Sequence, residues 1–314
     1  MAKIGIIGTG LVGATSAYAL LLSGVADELL LIDINEKRAH GEMLDLTHSM
    51  PLCPPAKVNC GSWGDLAGCD VVILAAGANQ KPGQTRLDLT RQNVEIFRSI
   101  VPQAVAHCPE AVYLVVTNPV DVLTRETVRI SGLPPRRVIG SGTVLDTNRL
   151  KNLLSNRLRV DPRNIHAWVL GEHGDSEFAA WSLTSVAGMP LEAFCQVTGG
   201  DRTAILPQLQ QLFDEHVKNV AYTIIAEKGA TYYAVAVAVR RIVEAVLRNE
   251  RSILTVSTLM DGAFGIRDVC LSLPVIVGRG GAEELLPIHL TEAEQVQLRR
   301  SADSLRAMLE PQPV

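Results

Sequence analysis

No block of lysine or arginine occurs anywhere in this sequence. Its 29 basic residues are outnumbered by 33 acidic ones, which gives a net charge of −4. Proteins that bind nucleic acid carry a basic patch or stripe, so this composition argues against nucleic acid as a partner. Small anionic ligands remain possible because they need only a local positive charge.

Cysteine is scarce and scattered. The residues are Cys53, Cys60, Cys69, Cys108, Cys195 and Cys270. They form no C-x-x-C pair and have no histidine at metal-ligand spacing, so neither a metal site nor a disulfide framework is predicted. Reduced thiols are typical of the cytoplasm.

Long hydrophobic runs are also missing. The apolar stretch Ala14–Leu22 is far shorter than the roughly 20 residues that a membrane span needs. Glycines interrupt the apolar run in MAKIGIIGTGLVG, and no cleavage-like site follows it, so a signal peptide is not expected. The sequence predicts a soluble cytoplasmic protein with no membrane partner.

What remains is the composition of an ordinary globular protein: 314 residues, 47% of them hydrophobic, with 25 glycines and 16 prolines. This length corresponds to roughly two domains. No repeat, low-complexity segment or linker separates them. We expect two halves that share an interface, residues 1–143 and residues 144–314.

Short apolar runs alternate with helical patterns through the first half, which is typical of parallel βαβ units. The predicted strands are Lys3–Ile7, Glu28–Asp33, Asp70–Ala76, Ala111–Thr117 and Val138–Ile139. They are apolar throughout, as expected of strands covered by helices on both faces. The first half is therefore predicted to be an α/β, doubly wound parallel sheet of the Rossmann type.

The second half has a different rhythm and is predicted to be an α+β domain with antiparallel strands. The expected helices are Leu145–Leu158, a segment from Leu209 to Ile225 that Gly229 stops, Thr231–Leu247, and a last helix that begins at Thr291 with Glu294 completing a capping box. The expected strands are His166–Leu170 and two antiparallel runs over 252–260 and 269–277.

A G-x-G-x-x-G loop follows the first predicted strand and opens a helix. Gly8 allows the tight turn, Gly10 lets a pyrophosphate approach the backbone, and Gly13 lets the helix pack close to the strand. The N–H groups at the helix N-terminus attract phosphates. Alone, the six residues could equally be a glycine turn packed for structural reasons.

Asp33 ends the second strand 20 residues after Gly13, where an acid binds the ribose hydroxyls of NAD. Loop and acid together predict an NAD site more strongly than either alone. A carboxylate repels the 2′-phosphate of NADP, although Lys37 and Arg38 nearby weaken that preference. The alternative is a solvated aspartate at a strand end.

His173 stands between two glycines after an apolar strand, where it is exposed to a cleft. Asp146 and Arg149, three residues apart on a predicted helix, share a face. Hydride transfer to a carbonyl needs a proton donor, a cation for the substrate carboxylate and a group that polarises the C=O, and these residue types supply them. Alternatively, Asp146 caps its helix, Arg149 is a solvated charge and His173 is a turn residue. For the helix pair alone, that alternative is favoured.

With these residues in view, nearly the whole chain resembles the lactate/malate dehydrogenase family. The resemblance rests on several motifs in the right order. They are the glycine loop, AGANQKPGQTRL at 76–87, VTNPVD at 116–121, GSGTVLD at 140–146, GEHGD at 171–175 and KGATYY at 228–233.

The resemblance implies a role for each matching position. His173 would be the acid/base, held by Asp146, and Arg149 would bind the substrate carboxylate. Arg86, on a mobile loop, would polarise the carbonyl; without the motif around it, Arg86 would be taken for a solvated cation. Further implied roles are a hydrogen bond from Asn118, beside a cis bond to Pro119, to substrate and cofactor; a pocket-lining Thr231; and cofactor contacts from Val12, Gly77, Ala78, Ser99 and Ser141.

Within the family, one loop position distinguishes substrates, and here it is Gln80. An arginine there pairs with the second carboxylate of oxaloacetate, whereas a neutral glutamine leaves that charge uncompensated. Pyruvate and lactate are therefore the expected substrates. A malate enzyme is the first alternative, and a non-catalytic NAD-sensing protein is the second.

The resemblance also implies a homotetramer and possible activation by fructose 1,6-bisphosphate. The positions that would hold this effector are Lys151 and His166. Lys151 departs from the usual arginine, and a lysine gives charge without the planar fork, so phosphate binding could be weakened or lost. The run Tyr232–Val239 fits an interface or the core equally well.

Overall fold

The computed structural model describes residues 2–78, 86–197 and 202–309. The first half contains strands β1 to β6 alternating with helices. The strands are β1 (Lys3–Ile7), β2 (Glu28–Ile32), β3 (Lys57–Cys60), β4 (Val71–Leu74), β5 (Val112–Val115) and β6 (Val138–Gly140). The helices are α1 (Leu11–Ser23), α2 (Glu36–Ser49), α3 (Arg86–His107) and α4 (Val120–Ser131).

In the second half, helices and short strands are mixed. The helices are α5 (Val144–Leu158), α6 (Leu191–Val197), α7 (Arg202–Phe213), α8 (Val220–Lys228), α9 (Tyr233–Leu247) and α10 (Glu292–Leu309). The strands are β7 (Ile165–His166), β8 (Val169–Leu170), β9 (Phe178–Ala179), β10 (Ser185–Val186), β11 (Met189–Pro190), β12 (Ser252–Leu254), β13 (Ser257–Asp261), β14 (Arg267–Ser272), β15 (Val275–Gly278) and β16 (Gly281–Leu285).

The predicted doubly wound sheet is confirmed. Its parallel strands run in the order β3-β2-β1-β4-β5-β6. Ile6 of β1 pairs with Leu31 on one side and Ile73 on the other, and none of the three has any exposed side-chain surface. Apolar clusters cover both faces of the sheet, which explains why these strands carry no alternation of polar residues. Strand β3 was missing from the sequence-based strands.

The antiparallel part differs from expectation in its connections. The run 252–260 is not one strand, because β12 belongs to a small separate sheet and β13 joins the central sheet through Ser257 opposite Gly140. The run 269–277 likewise divides between β14, next to β13, and β15, next to β12. Strands from the second half therefore extend the sheet of the first half.

Two further boundaries were wrong. The predicted strand His166–Leu170 is two separate strands, β7 and β8, in different sheets. The long helix expected up to Ile225 is interrupted by a π-helical turn over Asp214–Lys218. Its stop at Gly229 is confirmed, since this residue caps α8 in the left-handed conformation.

The capping box of the last helix is also confirmed. Thr291 donates its backbone N–H and its hydroxyl to the Glu294 carboxylate, which also accepts two hydrogen bonds from Ser182. All six cysteines are free thiols. Within the described residues, every helix is too short or too polar to span a bilayer.

Candidate active site

The glycine loop connects β1 to α1, and its glycines differ in what requires them. A Cβ on Gly8, whose φ is 97°, would lie 2.4 Å from the backbone nitrogen of Ala76, and one on Gly13 would lie 1.8 Å from the carbonyl oxygen of Gly8. A Cβ on Gly10 would meet nothing within 4 Å. Close packing therefore requires glycine at Gly8 and Gly13, whereas Gly10 borders open space.

The N-terminus of α1 faces that space. Gly10 is the N-cap residue and provides no side-chain cap, and the first turn, which includes the half-buried Val12, contains no acidic residue. Helix N–H groups without intrahelical partners and the positive end of the helix dipole attract a phosphate. The start of α1 therefore fits the pyrophosphate of a dinucleotide.

Asp33 follows β2 and is tied to the same loop. Its Oδ2 accepts hydrogen bonds from the backbone N–H and the hydroxyl of Thr9, at 2.7 and 3.0 Å, and its Oδ1 accepts from the backbone N–H of Asn35 at 2.9 Å. These contacts fix a partly exposed carboxylate beside the glycine loop. Carboxylate oxygens can accept further hydrogen bonds, so the residues present fit a dinucleotide with free ribose hydroxyls.

The loops that follow β4 and β5 are joined by a residue that sequence analysis missed. Asn93 of α3, 1% exposed, accepts a hydrogen bond from the backbone N–H of Ala78 and donates one to the carbonyl oxygen of Asn118. The bond between Asn118 and Pro119 is cis. An isolated asparagine on a helix carries no sequence signal for such a bridge.

Other predicted cofactor residues occupy different places. Gly77 lies in the loop that follows β4, and a Cβ on it would lie 2.4 Å from the methyl group of Thr117. Ser141 follows β6, and its backbone N–H donates to the carbonyl oxygen of Val115. Both therefore lie at the carboxyl edge of the sheet. Ser99 is exposed on α3, six residues beyond Asn93, and no described contact joins it to these loops.

Two of the three predicted catalytic residues, His173 and Asp146, form one hydrogen-bonded cluster with the predicted substrate-binding Arg149. His173 Nδ1 lies 2.6 Å from Oδ2 of Asp146, and Arg149 donates from Nη1 to Oδ1 of the same carboxylate at 2.8 Å. The Asp146 side chain is 1% exposed and that of Arg149 is 14% exposed. The interpretation of the helix pair as a cap and a solvated charge is therefore wrong.

Charge in this cluster is set by burial and by the Asp146–His173 pair. Burial lowers the pKa of His173, but the Asp146 carboxylate and its hydrogen bond outweigh that effect and raise the pKa to about 9. Burial raises the pKa of Asp146, but the His173 imidazolium and then Arg149 bring it below its usual value. The imidazole is thus held in its protonated form at neutral pH.

Asp121 at the start of α4 supports His173 from the other side and was not singled out in the sequence. Its Oδ2 accepts the backbone N–H of His173 at 2.7 Å, and its Oδ1 accepts the hydroxyl of Ser257 at 2.5 Å. Burial raises the pKa of Asp121 to about 6, although these hydrogen bonds oppose it. Asp121 lay within a quoted motif, but only the fold shows that it is buried.

Helix α10 fixes the segment that carries His173. Ser301, fully buried, accepts the backbone N–H of Glu172 at 2.9 Å and donates to the carbonyl oxygen of Ser176 at 2.9 Å. Gly171 precedes them with φ of 92°, and a Cβ there would lie 2.4 Å from the Ser301 hydroxyl. This small serine, distant in sequence, gave no pattern that could have identified it.

Several predicted site residues have no described contact with the His173 cluster or lie outside the residues that the structure describes. Gln80 lies outside the described residues, and Arg86 begins α3, with its side chain outside them. Thr231 is partly buried just before α9. Lys151 is half-buried on α5, where burial and then Arg241 lower its pKa, while His166 is exposed on β7.

Comparison with known proteins gives a consistent picture. Two family models match this chain. The model of the lactate/malate dehydrogenase NAD binding domain matches residues 2–140, and the model of the lactate/malate dehydrogenase alpha/beta C-terminal domain matches residues 143–312. An L-lactate dehydrogenase of Acetivibrio thermocellus is 51% identical, over 98% of this chain and 96% of that protein. Another, from Thermoanaerobacter, is 50% identical over 99% of each chain.

A solved structure shares the whole fold. The crystal structure of the minor L-lactate dehydrogenase from Enterococcus mundtii, in a ligand-bound form, superposes with a TM-score of 0.93 at 42% identity, over 98% of this chain and 97% of that one. Family matches over both halves, relatives at about half identity and this superposition agree. This chain belongs to the lactate/malate dehydrogenase family and carries its NAD-binding domain.

Proposed function

We propose that this protein is an L-lactate dehydrogenase, which interconverts pyruvate and L-lactate with NAD. The hydrogen-bonded cluster of His173 and Arg149 around the buried Asp146, at the sheet edge where the glycine loop lies, is the observation that carries the proposal. The names of its relatives support the choice of lactate. In this proposal, residues 1–143 bind the cofactor, and residues 144–314 supply this cluster.

The cofactor would supply the hydride, and the chain's task is to move a proton and hold the substrate. Nδ1 of His173 is engaged by Asp146, so Nε2 is the ring nitrogen that faces substrate. As pyruvate is reduced, the proton on Nε2 passes to the carbonyl oxygen and His173 becomes neutral. In lactate oxidation the neutral ring takes the hydroxyl proton.

Arg149 binds the substrate carboxylate in this proposal. Its contact with Asp146 uses Nη1, and a guanidinium has five N–H donors in a planar fork, so donors remain for a bidentate pair. Such a pair fixes a 2-oxo acid in one orientation next to His173. Arg86 would polarise the substrate carbonyl, Asn118 would hydrogen-bond to it, and Thr231 would line the pocket.

Cofactor contacts follow from the geometry of the glycine loop. The start of α1 would receive the pyrophosphate above Gly10, and Asp33 would accept the ribose hydroxyls. The remaining positions that we assign to cofactor binding are Gly8, Val12, Gly13, Gly77, Ala78, Ser99, Asn118 and Ser141.

Substrate choice is assigned to Gln80. The distal carboxylate of oxaloacetate would enter the closed site unpaired, and a buried charge without a partner is costly. Q80R supplies a partner for that carboxylate and places an unpaired guanidinium opposite the methyl group of pyruvate. Each 1.4 kcal/mol is tenfold in kcat/KM, so the oxaloacetate-to-pyruvate ratio should rise by a factor on the order of a thousand.

The measurement is kcat/KM for both 2-oxo acids, with NADH, in wild type and Q80R. R149Q is the control, since it removes the partner of the carboxylate that both substrates share and should weaken both together. A wild-type preference for oxaloacetate, or a ratio that Q80R leaves unchanged, would refute the lactate assignment.

Activation by fructose 1,6-bisphosphate is the regulatory part of this proposal. Lys151 lies close enough to Arg241 for the two positive charges to interact, which supports an anion site there together with His166. The effector should lower the KM for pyruvate. A pyruvate saturation curve unchanged by millimolar effector at pH 6 would remove this part.

Assembly as a homotetramer in the cytoplasm completes the proposal. Large apolar side chains are about half exposed or more on α1, α8 and α9, which is typical of a subunit interface. They are Leu11, Tyr18, Leu22, Tyr222, Ile225, Tyr233 and Val237. Free thiols at all six cysteines fit a reducing compartment.

A further inference from the structure

Glu177 is a second buried carboxyl group beside the Asp146–His173 pair. Its side chain is 3% exposed, and one of its oxygens, an oxygen of Asp146 and a ring nitrogen of His173 all lie within 4.8 Å of one another. Its backbone N–H donates to the carbonyl oxygen of Gly174, which closes the turn after His173. The mechanism above gives this residue no task.

The charges around Glu177 determine which carboxyl group keeps a proton. Two carboxylates in contact inside a protein do not both ionise at neutral pH. Asp146 has His173 on one oxygen and Arg149 on the other, so its negative charge is compensated. The charged groups that act on Glu177 are these same three, and the Asp146 carboxylate has the largest effect.

Of the two carboxyl groups, Glu177 is therefore the one that is protonated, and Asp146 is ionised. Burial raises the pKa of Glu177 well above its ordinary value, and the negative charge of Asp146 raises it further. A protonated Glu177 donates a hydrogen bond to Asp146, which helps to keep the pKa of Asp146 low. Asp146 thus has a hydrogen-bond donor from three directions.

We propose that Glu177 is a positioning residue for the proton transfer assigned above: as a neutral carboxylic acid it donates to Asp146 and holds that carboxylate against His173 and Arg149. This inference rests on the proposed function for its role in turnover. Its structural content, a neutral acid that orients Asp146, can be tested without turnover.

A second consequence concerns alkaline pH. When Glu177 loses its proton, a further negative charge appears near His173, in addition to those of Asp146 and Asp121. A negative neighbour favours the imidazolium and therefore raises the pKa of His173. Ionisation of Glu177 thus extends toward alkaline pH the range in which His173 can donate a proton.

The test compares E177Q, which keeps a neutral donor of similar size, with E177L, which has none. At pH 7, E177Q should keep kcat/KM for pyruvate within about threefold, and E177L should lose about tenfold or more, mainly in kcat, with NADH affinity unchanged. The alkaline midpoint of the pH profile should lie lower in E177Q than in wild type, because the extra negative charge is missing.

A matched control is E294Q, which changes another buried acid, on α10, whose partners are Ser182 and Thr291. It should lower the thermal midpoint without moving the alkaline midpoint. An equal shift of the pH profile in E294Q would overturn the assignment to Glu177.

The protonation state of Glu177 can be measured with no substrate present, and this separates the two proposals. In ¹³C NMR spectra of protein labelled at the glutamate carboxyl carbons, the Glu177 resonance is the one that E177Q lacks. If wild type does not reduce pyruvate, the proposed function fails, and a Glu177 carboxyl that is still protonated at pH 7 would support the neutral acid. The inference is overturned if this carboxyl is ionised at pH 7, or if E177Q is as impaired as E177L at pH 7, since an ionised carboxylate would then be needed.

Discussion

The glycine loop and the His173 cluster lie at the same edge of the central sheet but are built in different ways. The loop is local: Gly8 and Gly13 pack against each other, and a side-chain hydrogen bond joins Thr9 to Asp33, 24 residues away. The cluster is assembled from α4, α5, β13 and the segment around His173, across separations of 27, 52 and 136 residues.

This difference follows from what each region binds. Backbone N–H groups and a helix dipole can hold a phosphate, so a short segment with glycines at fixed spacing is sufficient. A proton-transfer centre needs charged groups away from water, and each buried charge needs a partner. Those partners come from distant parts of the chain, so the cluster depends on the complete fold.

The largest expected effect is in the cluster. In D146N the imidazole loses the carboxylate that holds its proton, and its pKa should fall from about 9 toward or below the ordinary value of ~6.5. We expect pyruvate reduction at pH 7.5 to fall by about 10²- to 10⁴-fold, while NADH binding stays nearly intact. Steady-state kinetics and NADH fluorescence titration measure the two quantities.

The pH dependence of turnover tests the same His173–Asp146 pair. In wild type, kcat/KM for pyruvate should stay level up to the raised pKa of His173 and fall above about pH 9, while lactate oxidation gains over the same range. In D146N both midpoints should move to lower pH. Wild-type turnover in D146N, or an unchanged midpoint, would contradict the assignment of the His173–Asp146 pair.

The same contrast explains which parts of the fold and of the site could be predicted from the sequence. The doubly wound sheet, the loop and Asp33 were predictable because apolar runs and glycine spacing are local patterns. The pairing of β13 with the sheet of the first half was not predictable, because the single apolar run 252–260 forms two strands that belong to two different sheets. Glu177, Asp121 and Ser301 were missed because the residues adjacent to a polar residue in the sequence do not indicate whether it is buried.

The glycine loop should show a smaller effect that separates binding from folding. G10A adds a methyl group where the protein leaves open space, so the thermal midpoint should change little. The methyl group occupies the approach of the pyrophosphate, and the Kd for NADH should rise by about tenfold, equivalent to about 1.4 kcal/mol.

G13A is the matched variant of the same size. Its Cβ would lie 1.8 Å from the carbonyl oxygen of Gly8, so α1 would have to move away from β1, and the variant should be markedly destabilised. Calorimetry and NADH titration of both variants give the comparison. Equal losses of stability in G10A and G13A would show that Gly10 is also required by packing and not by the ligand.

The smallest expected effect concerns the link between the sheet and the cluster, at Ser257. Its hydroxyl donates to Asp121, whose pKa burial raises to about 6, and this hydrogen bond opposes the rise. In S257A the pKa of Asp121 should increase, so near pH 6 more of this acid is protonated. Protonated Asp121 is a poorer acceptor for the backbone N–H of His173 and no longer favours its imidazolium.

Turnover should therefore fall by about two- to fivefold at pH 6 and by less at pH 8, where Asp121 is ionised in both proteins. The control is S272A, because Ser272 is equally buried and pairs with Ser257 in the sheet, while its hydroxyl accepts from Thr143. Both variants lose one buried hydrogen bond of about 1 kcal/mol, so both should have lower thermal midpoints. Only S257A should lose activity in a pH-dependent way, since only its hydroxyl contacts the acid that supports His173. A pH-independent loss in S257A, or the same profile in S272A, would mean that β13 supports the cluster by packing alone and that the charge of Asp121 has no part in it.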